Sequence, residues 1–297
     1  MTSTRITPRD AAMAVRVAAA IVASWIVPEA LWLPLTRAIG LVETLVPAID
    51  SGSLPVDGAL SAHLGRSARS LAIERSATGQ ASRLYGFREY RPWRRDVPVR
   101  VDGLDHLSGA LAAGAGAVLW VGRFTWASLI TKMGMHRAGI PVSHLSRPSH
   151  GFGGSNVAVR WLNPAWTRIE TRFLRERIVL DPGAETGALR TLRRRLAENG
   201  VVSIAVGDEA ARAVDVQVLG LPLRLATGPM HLAVSSHAPL IPVFTIRDGT
   251  GEFVVTLEAP LRVPVQAGRD ACERDLAAQY ASRLEPWVRR YPGQWLG

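Results

Sequence analysis

The chain of 297 residues has one cysteine, Cys272, and one lysine, Lys132. A single thiol excludes an intrachain disulfide and a thiolate metal cluster, and it suits a reducing compartment. A confident membrane-spanning helix needs about 20 consecutive apolar residues. The N-terminal apolar stretch Val17–Val27 has only eleven, and Pro28 and Glu29 interrupt it. Common enzyme signatures are also missing. There is no P-loop, and Gly114-Ala115-Gly116 lacks the third glycine of a dinucleotide fingerprint and leads into a strand. Gly153-Gly154-Ser155-Asn156 does not form a nucleophile elbow. No two histidines share a helix at metal-ligand spacing. Nothing matches an RNP, zinc-finger or basic-zipper pattern, so nucleic acid is not an expected partner.

What is present is arginine. The formal net charge is +10, and apart from Lys132 the basic residues are all arginine. Such a surface favours anionic partners: phosphate head groups or an acidic carrier protein. Arg5, Arg9 and Arg16 precede Val17–Val27, with Trp25 and Trp32 alongside. This pattern fits a helix lying in a membrane interface, or else an ordinary core helix. The helical pattern of residues 11–48 is expected to break at Pro28 and Pro34. Residues 50–58 read as a linker, and Ala59 to about Leu84 as a second helical unit. Phe87–Asp96 is aromatic and arginine-rich, either a surface loop or a contact for anionic head groups.

From Val97 the pattern changes. Strands are expected at 97–101, 117–121, 142–145, 177–180, 201–206, 240–246 and 252–258. Helices are expected at 103–113, 125–138, 187–198, 227–236 and 271–290, with another running from the glycine-rich loop His150–Gly154 to about Arg172. Gln217–Leu219 and Leu223–Leu225 read as short edge segments. Apolar strands alternating with helices predict an α/β fold, a mostly parallel twisted sheet with helices on both faces. The organisation is then an N-terminal helical, membrane-facing region, 1–96, and an α/β domain, 97–297. Residues 116–128, GAVLWVGRFTWAS, form its central junction of strand, turn and helix. Ligands in open α/β sheets bind at the carboxyl ends of strands, where Arg123 and Ser128 fall.

Several stretches carry a family resemblance. Val99–Leu119, VRVDGLDHLSGALAAGAGAVL, is similar to a G-x-E-H-L-x-x-A-L-x-x-G-x-G-V-I-L lead-in. Ser146-Arg147-Pro148 is similar to Y-R-P, and Gly207-Asp208 falls at an x-D-Q. Leu219–Pro229, LGLPLRLATGP, resembles F-F-G-x-P-A-x-T-x-x-G-P. Leu240–Phe244 resembles V-I-P-x-F, and Tyr291–Trp295 the closing Y-P-x-Q-W. In order and spacing the chain resembles the lipid A biosynthesis lauroyl/myristoyl acyltransferases of the lysophospholipid acyltransferase superfamily.

The resemblance implies acyl transfer from an acyl carrier protein or coenzyme A thioester to a hydroxyl or amine acceptor. It implies no tightly bound cofactor and no metal. It also implies a place on the cytoplasmic face of the inner membrane, peripheral or held by a single helix. The family's relay is H-x4-D/E, a histidine base with an acid holding its ring. In this chain those positions are Arg123 and Ser128, so the motif is replaced. An arginine stays protonated and cannot act as a base. Three readings remain open. His150 or Asp208 handles the proton, with His144 and Glu209 nearby; or Arg123 and Arg147 clamp an oxyanion or phosphate; or the chain binds acyl lipid or a partner enzyme without catalysis. Glu209, Gly220 and Thr227 join Arg147 as expected substrate-binding residues.

Overall fold

The computed structural model describes residues 8–45, 56–180, 183, 185–207, 212–264 and 268–297. Uninterrupted apolar runs form its interior strands. Residues Ala117–Val121 make β2, buried at every position. The other strands are β1 (Val99–Asp102), β3 (Val142–Ser146), β4 (Glu176–Val179), β5 (Val201–Ala205), β6 (Ala213–Val218), β7 (Leu221–Ala226), β8 (Leu240–Arg247) and β9 (Phe253–Leu257). Seven of them form one sheet in the order β1-β9-β8-β2-β5-β3-β4. The block β8-β2-β5-β3-β4 is parallel, while β9 runs antiparallel to β8 and parallel to β1. The centre of the sheet is thus β2, whose residues cannot reach water from either face.

Helices α5 (Leu104–Ala112), α6 (Ala127–Arg137), α7 (Asn163–Thr171), α8 (Glu185–Ala197) and α9 (Gly228–Ser235) lie between strands along the chain, and α10 (Arg269–Arg290) follows the last strand. A π-helical turn, Ala158–Leu162, leads into α7. On one face Trp120 meets Tyr280 of α10, ring centroids 4.1 Å apart. The other face of the strands carries α6 and α7. Asn199 ends α8 in the left-handed region at φ 57°. Its side chain accepts from the Gly116 amide at 2.9 Å and donates to the Leu111 carbonyl at 2.9 Å. One residue therefore stops a helix and pins the start of the central strand.

Before the sheet come α1 (Pro8–Ile26), α2 (Trp32–Leu45), α3 (Val56–Leu64) and α4 (Ala68–Phe87). The break between α1 and α2 falls at Pro28, as expected. Pro34 breaks nothing. It lies in the first turn of α2, where backbone N–H groups have no intrahelical acceptor to lose. Leu71, Ala81 and Phe87 of α4 are buried in the same core as the sheet. Trp32 and Tyr85 continue that packing edge-on to Trp126 and Phe253, with centroid spacings of 5.0–5.8 Å.

The arginine-rich segment after α4 is in part the expected surface loop, with 92–96 exposed, and in part departs from it. Arg88 and Arg91 are buried rather than offered to head groups. Arg88 donates to Glu29 at 2.7 Å, and Arg91 lies 3.6 Å from the same carboxylate and over the Trp32 ring. The aromatic rings leave little water there, so the arginines take the nearest carboxylate instead. Among the described residues no helix is long and apolar enough to cross a membrane. The α1–α2 pair does expose Val15, Val22, Trp25, Ile26, Leu31, Val42 and Leu45.

The expected edge segments around Gly220 are one hairpin, β6–β7, a two-stranded sheet of its own. Leu219 and Gly220 have φ of 51° and 71°, the two positive values that a type I′ turn demands. Replacing Asn199 with Ala removes two hydrogen bonds and a residue tolerant of the left-handed region. We expect Asn199→Ala to lose about 1–3 kcal/mol of stability at unchanged m-value in urea unfolding.

Candidate active site

The parallel strands β2, β3 and β5 end at one edge of the sheet, and the chain leaves each by a different route. After β2 it turns through Gly122 and Arg123 into α6. The C-terminal segment holds this turn: Leu296 donates to the Arg123 carbonyl at 2.9 Å, and Phe124 bridges to Trp295. The Thr125 amide and hydroxyl both donate to the Gln294 carbonyl, at 2.8 and 3.1 Å. Gln294 in turn pairs with both backbone groups of Arg247 at the end of β8. The closing Tyr-Pro-Gly-Gln-Trp stretch is thus a staple across the strand ends. Arg123 itself is half-buried.

After β3 comes the loop Arg147–Gly154, fastened by Asn163, the first residue of α7. Asn163 accepts from the Phe152 amide at 2.7 Å and donates to the carbonyls of Gly153 at 2.9 Å and Pro148 at 3.3 Å. Gly151, at φ 127°, passes so close that a Cβ there would sit 2.9 Å from Asn163 Oδ1. This clamp places His150. Its Nε2 lies 2.8 Å from Glu170 Oε2 in the last turn of α7, and its side chain remains 27% exposed.

Glu170 is the point of convergence. Its side chain is 1% exposed, yet every direction around it holds a donor. Ser128 Oγ, in the first turn of α6, donates to Oε1. Trp166 Nε1 donates to Oε1 at 2.8 Å and reaches Ser128 Oγ at 3.2 Å. On Oε2, His150 is joined by the Lys132 ammonium at 2.7 Å. Burial alone would raise the carboxyl's pKa. The Lys132 charge and the His150 hydrogen bond outweigh it and hold Glu170 well below the usual carboxylate range. Burial lowers the Lys132 pKa, and Glu170 opposes that fall. Removing one partner of such a buried pair costs roughly 3–5 kcal/mol, because the other charge is left uncompensated.

Beside this cluster His144 is buried, its Nδ1 2.7 Å from Ser203 Oγ and its ring 6.4 Å from that of His150. Burial, then the nearby Lys132 charge, push its pKa well below the ordinary value near 6.5. His144 is neutral and enclosed, so of the two histidines flanking Arg147 only His150 opens to solvent.

The structure brings together Ser128 and His150 through Glu170. Arg147 follows β3, and its Nη2 would lie 3.8 Å from a Cβ at Gly207, just past β5. Asp208 and Glu209 lie outside the described residues. Two expected binding residues lie outside this cluster. Gly220 sits in the β6–β7 turn, ~20 Å along β7 from the sheet edge at strand rise. There it makes room for His63, whose Nε2 would lie 2.8 Å from a Cβ. Thr227 is buried, its backbone N–H donating to the Arg212 carbonyl at 3.2 Å and its hydroxyl turned to the same carbonyl. The clefts along α10, lined by Glu258, Ser282, Pro286 and Arg290, include none of the cluster residues. Among the described residues no three His, Cys, Asp or Glu side chains are grouped to hold a metal.

Glu170, Lys132 and Trp166 are absent from the sequence expectations. The signal available is a charge on an apolar helical face. Glu170 follows Trp166 and Ile169 at helical spacing, and the chain's one lysine lies between Ile130 and Met133.

A histidine with a buried acid at the carboxyl ends of parallel strands defines a candidate acid–base site in an α/β protein. A match to the family described as bacterial lipid A biosynthesis acyltransferase covers residues 88–296. The chain belongs to that family. It is 29% identical over 216 residues to a phosphatidylinositol mannoside acyltransferase of Mycobacterium tuberculosis strain H37Rv, covering 69% of this chain and 60% of that protein. The match to the protein of the same name from strain CDC 1551 has the same identity and coverage. The chain therefore spans about 60% of the length of the curated relatives it matches. The 1-acyl-sn-glycerophosphate acyltransferase of Thermotoga maritima aligns over 95% of this chain and 99% of its own, at 14% identity and a TM-score of 0.38. That likeness is too loose to transfer anything.

Two predictions follow from the cluster. Gly86 of α4 lies under the Trp166 ring, where a Cβ would approach to 2.2 Å of a ring carbon. Gly86→Ala should cost about 1–3 kcal/mol by overpacking, and its crystal structure should show Trp166 moved off Glu170. The second concerns pH. Below about pH 6.5 the unfolded chain gains a proton on His144 that the fold refuses, so stability falls as pH drops from there. His144→Asn should flatten that fall in denaturant titrations between pH 6.5 and 4.5, roughly the window of histidine titration.

Proposed function

We propose that the protein transfers an acyl group from a carrier-protein or coenzyme A thioester to a hydroxyl or amine of a lipid acceptor, with His150 as the base. The observation that carries this reading is the 2.8 Å contact between His150 Nε2 and the buried Glu170 carboxylate. A neutral imidazole that donates through Nε2 presents Nδ1 as its proton acceptor. The relay expected at positions 123 and 128 is rebuilt from other elements, with the histidine from the β3 loop and the acid from α7. Ser128 serves as a donor that holds the acid.

In this scheme the acceptor oxygen or nitrogen attacks the thioester carbonyl carbon as its proton passes to His150 Nδ1. The carbonyl oxygen becomes an oxyanion, stabilised by Arg123 or Arg147. Collapse breaks the C–S bond, and the imidazolium returns its proton to the departing thiolate. The family membership and the name of the mycobacterial relatives support acyl transfer to a lipid. The apolar side chains exposed on α1 and α2, with Trp93 at 61% exposure, support a peripheral seat on the cytoplasmic face of the inner membrane.

The test is thiol release from acyl-coenzyme A and acyl carrier protein by the purified chain, with lipid acceptors in vesicles. His150→Gln should lower kcat about 10²–10⁴-fold with little change in KM, the usual range for a general base. Arg123→Ala should retain measurable turnover if it only stabilises the oxyanion. No turnover with any thioester, together with retained acyl-chain binding, would reassign the protein as a non-catalytic lipid binder.

A further inference from the structure

Lys132 has no part in the scheme above, yet it is the most deeply enclosed cation of the site. It projects from α6 in a run of buried residues, Leu129 to Met135, and is itself 4% exposed. Its ammonium meets the same oxygen, Glu170 Oε2, that faces His150. The other oxygen is taken by Ser128 and Trp166. A carboxylate this deeply buried keeps its charge only with a compensating cation. Two groups on Oε2 can supply that cation: Lys132, or His150 once protonated. If His150 supplied it, the ring would be held as imidazolium and could accept nothing.

We propose that Lys132 is a positioning residue: by supplying the counter-charge of Glu170 it frees His150 from that duty, so that the ring is fixed by the carboxylate and still able to take a proton. The proposal rests on the reading of His150 as the base.

The charged and titratable groups of the cluster come from four elements: Glu170 from α7, Lys132 from α6, His144 from β3, whose ring lies 6.4 Å from that of His150, and Arg177 from β4, whose charge acts on Lys132 and His144; Arg147 belongs to the loop of His150 itself. Arg177 donates to the Arg147 carbonyl at 3.0 Å and keeps its charge whatever stands at position 132. His144 is neutral and bound to Ser203. Lys132 is the cation that meets the same carboxylate oxygen as His150, so its removal changes the compensation of Glu170 directly.

The experiment is an NMR titration of the histidine ring signals in the full chain, with His150 assigned by loss of its signal in His150→Gln. Lys132→Met removes the charge, Lys132→Gln removes it but keeps a donor to Oε2, and Lys132→Arg keeps it. In Lys132→Met and Lys132→Gln the His150 midpoint should rise by about one pH unit or more, the usual effect of an uncompensated carboxylate on a neighbour. In Lys132→Arg it should stay near that of the unaltered protein. An unmoved midpoint in both neutral variants overturns the proposal. So does unfolding of both while Lys132→Arg folds, which would assign the ammonium to stability alone. The titration needs no turnover. An active enzyme with an unmoved midpoint rejects the role of Lys132 and not acyl transfer, while a shifted midpoint in an inactive protein does the reverse.

Discussion

The burial of one carboxylate sets the terms for everything at the strand edge. Glu170 would be a heavy cost in isolation. It is tolerated because Ser128 and Trp166 hold one oxygen while Lys132 and His150 hold the other. Four residues from two helices and a loop are thereby locked into one arrangement. A half-satisfied network would be worse than an apolar core, so these positions depend on one another.

Around this centre the fold supplies fixed edges. Asn163 clamps the loop that carries His150, so the ring's position derives from the start of the same helix whose last turn supplies Glu170. Gly86 lets α4 approach the Trp166 ring. The C-terminal staple of Gln294 and Trp295 ties the turn at Arg123 to the end of β8. The N-terminal helices do more than carry an apolar surface: Arg75 of α4 donates to the Trp295 carbonyl, so α4 meets the C-terminal staple that holds the turn at Arg123.

Much of the fold was legible because strand burial leaves a direct trace. A run such as Ala117–Val121 has no polar residue on either side, which only an interior strand tolerates. Asn199-Gly200 ends α8 where the sequence places a stop, because asparagine accepts positive φ. The junction at 116–128 was legible as a strand end, turn and helix start for the same reason. Its partner was not. Arg123 and Ser128 mark where the family relay would stand, but nothing in the local pattern says that an acid 42 residues beyond Ser128 fills the gap. Glu170 and Lys132 each break an apolar helical face, and a single broken face signals a buried charge without naming its counter-charge. Pairing is a property of how α6 and α7 pack, which periodicity does not encode. The arginines at 88 and 91 misled for the opposite reason: their density suggested a surface, while Glu29 and the aromatic rings drew them inside.

The central claim is that His150, held by Glu170, takes the proton that an arginine at position 123 cannot. Chemical rescue tests it most directly. Thiol release from a long-chain acyl thioester is measured for the unaltered protein and for His150→Ala, with and without added imidazole. The account predicts that His150→Ala is nearly inactive and that imidazole restores turnover in a concentration-dependent, saturable way. Full activity in His150→Ala without imidazole would contradict it.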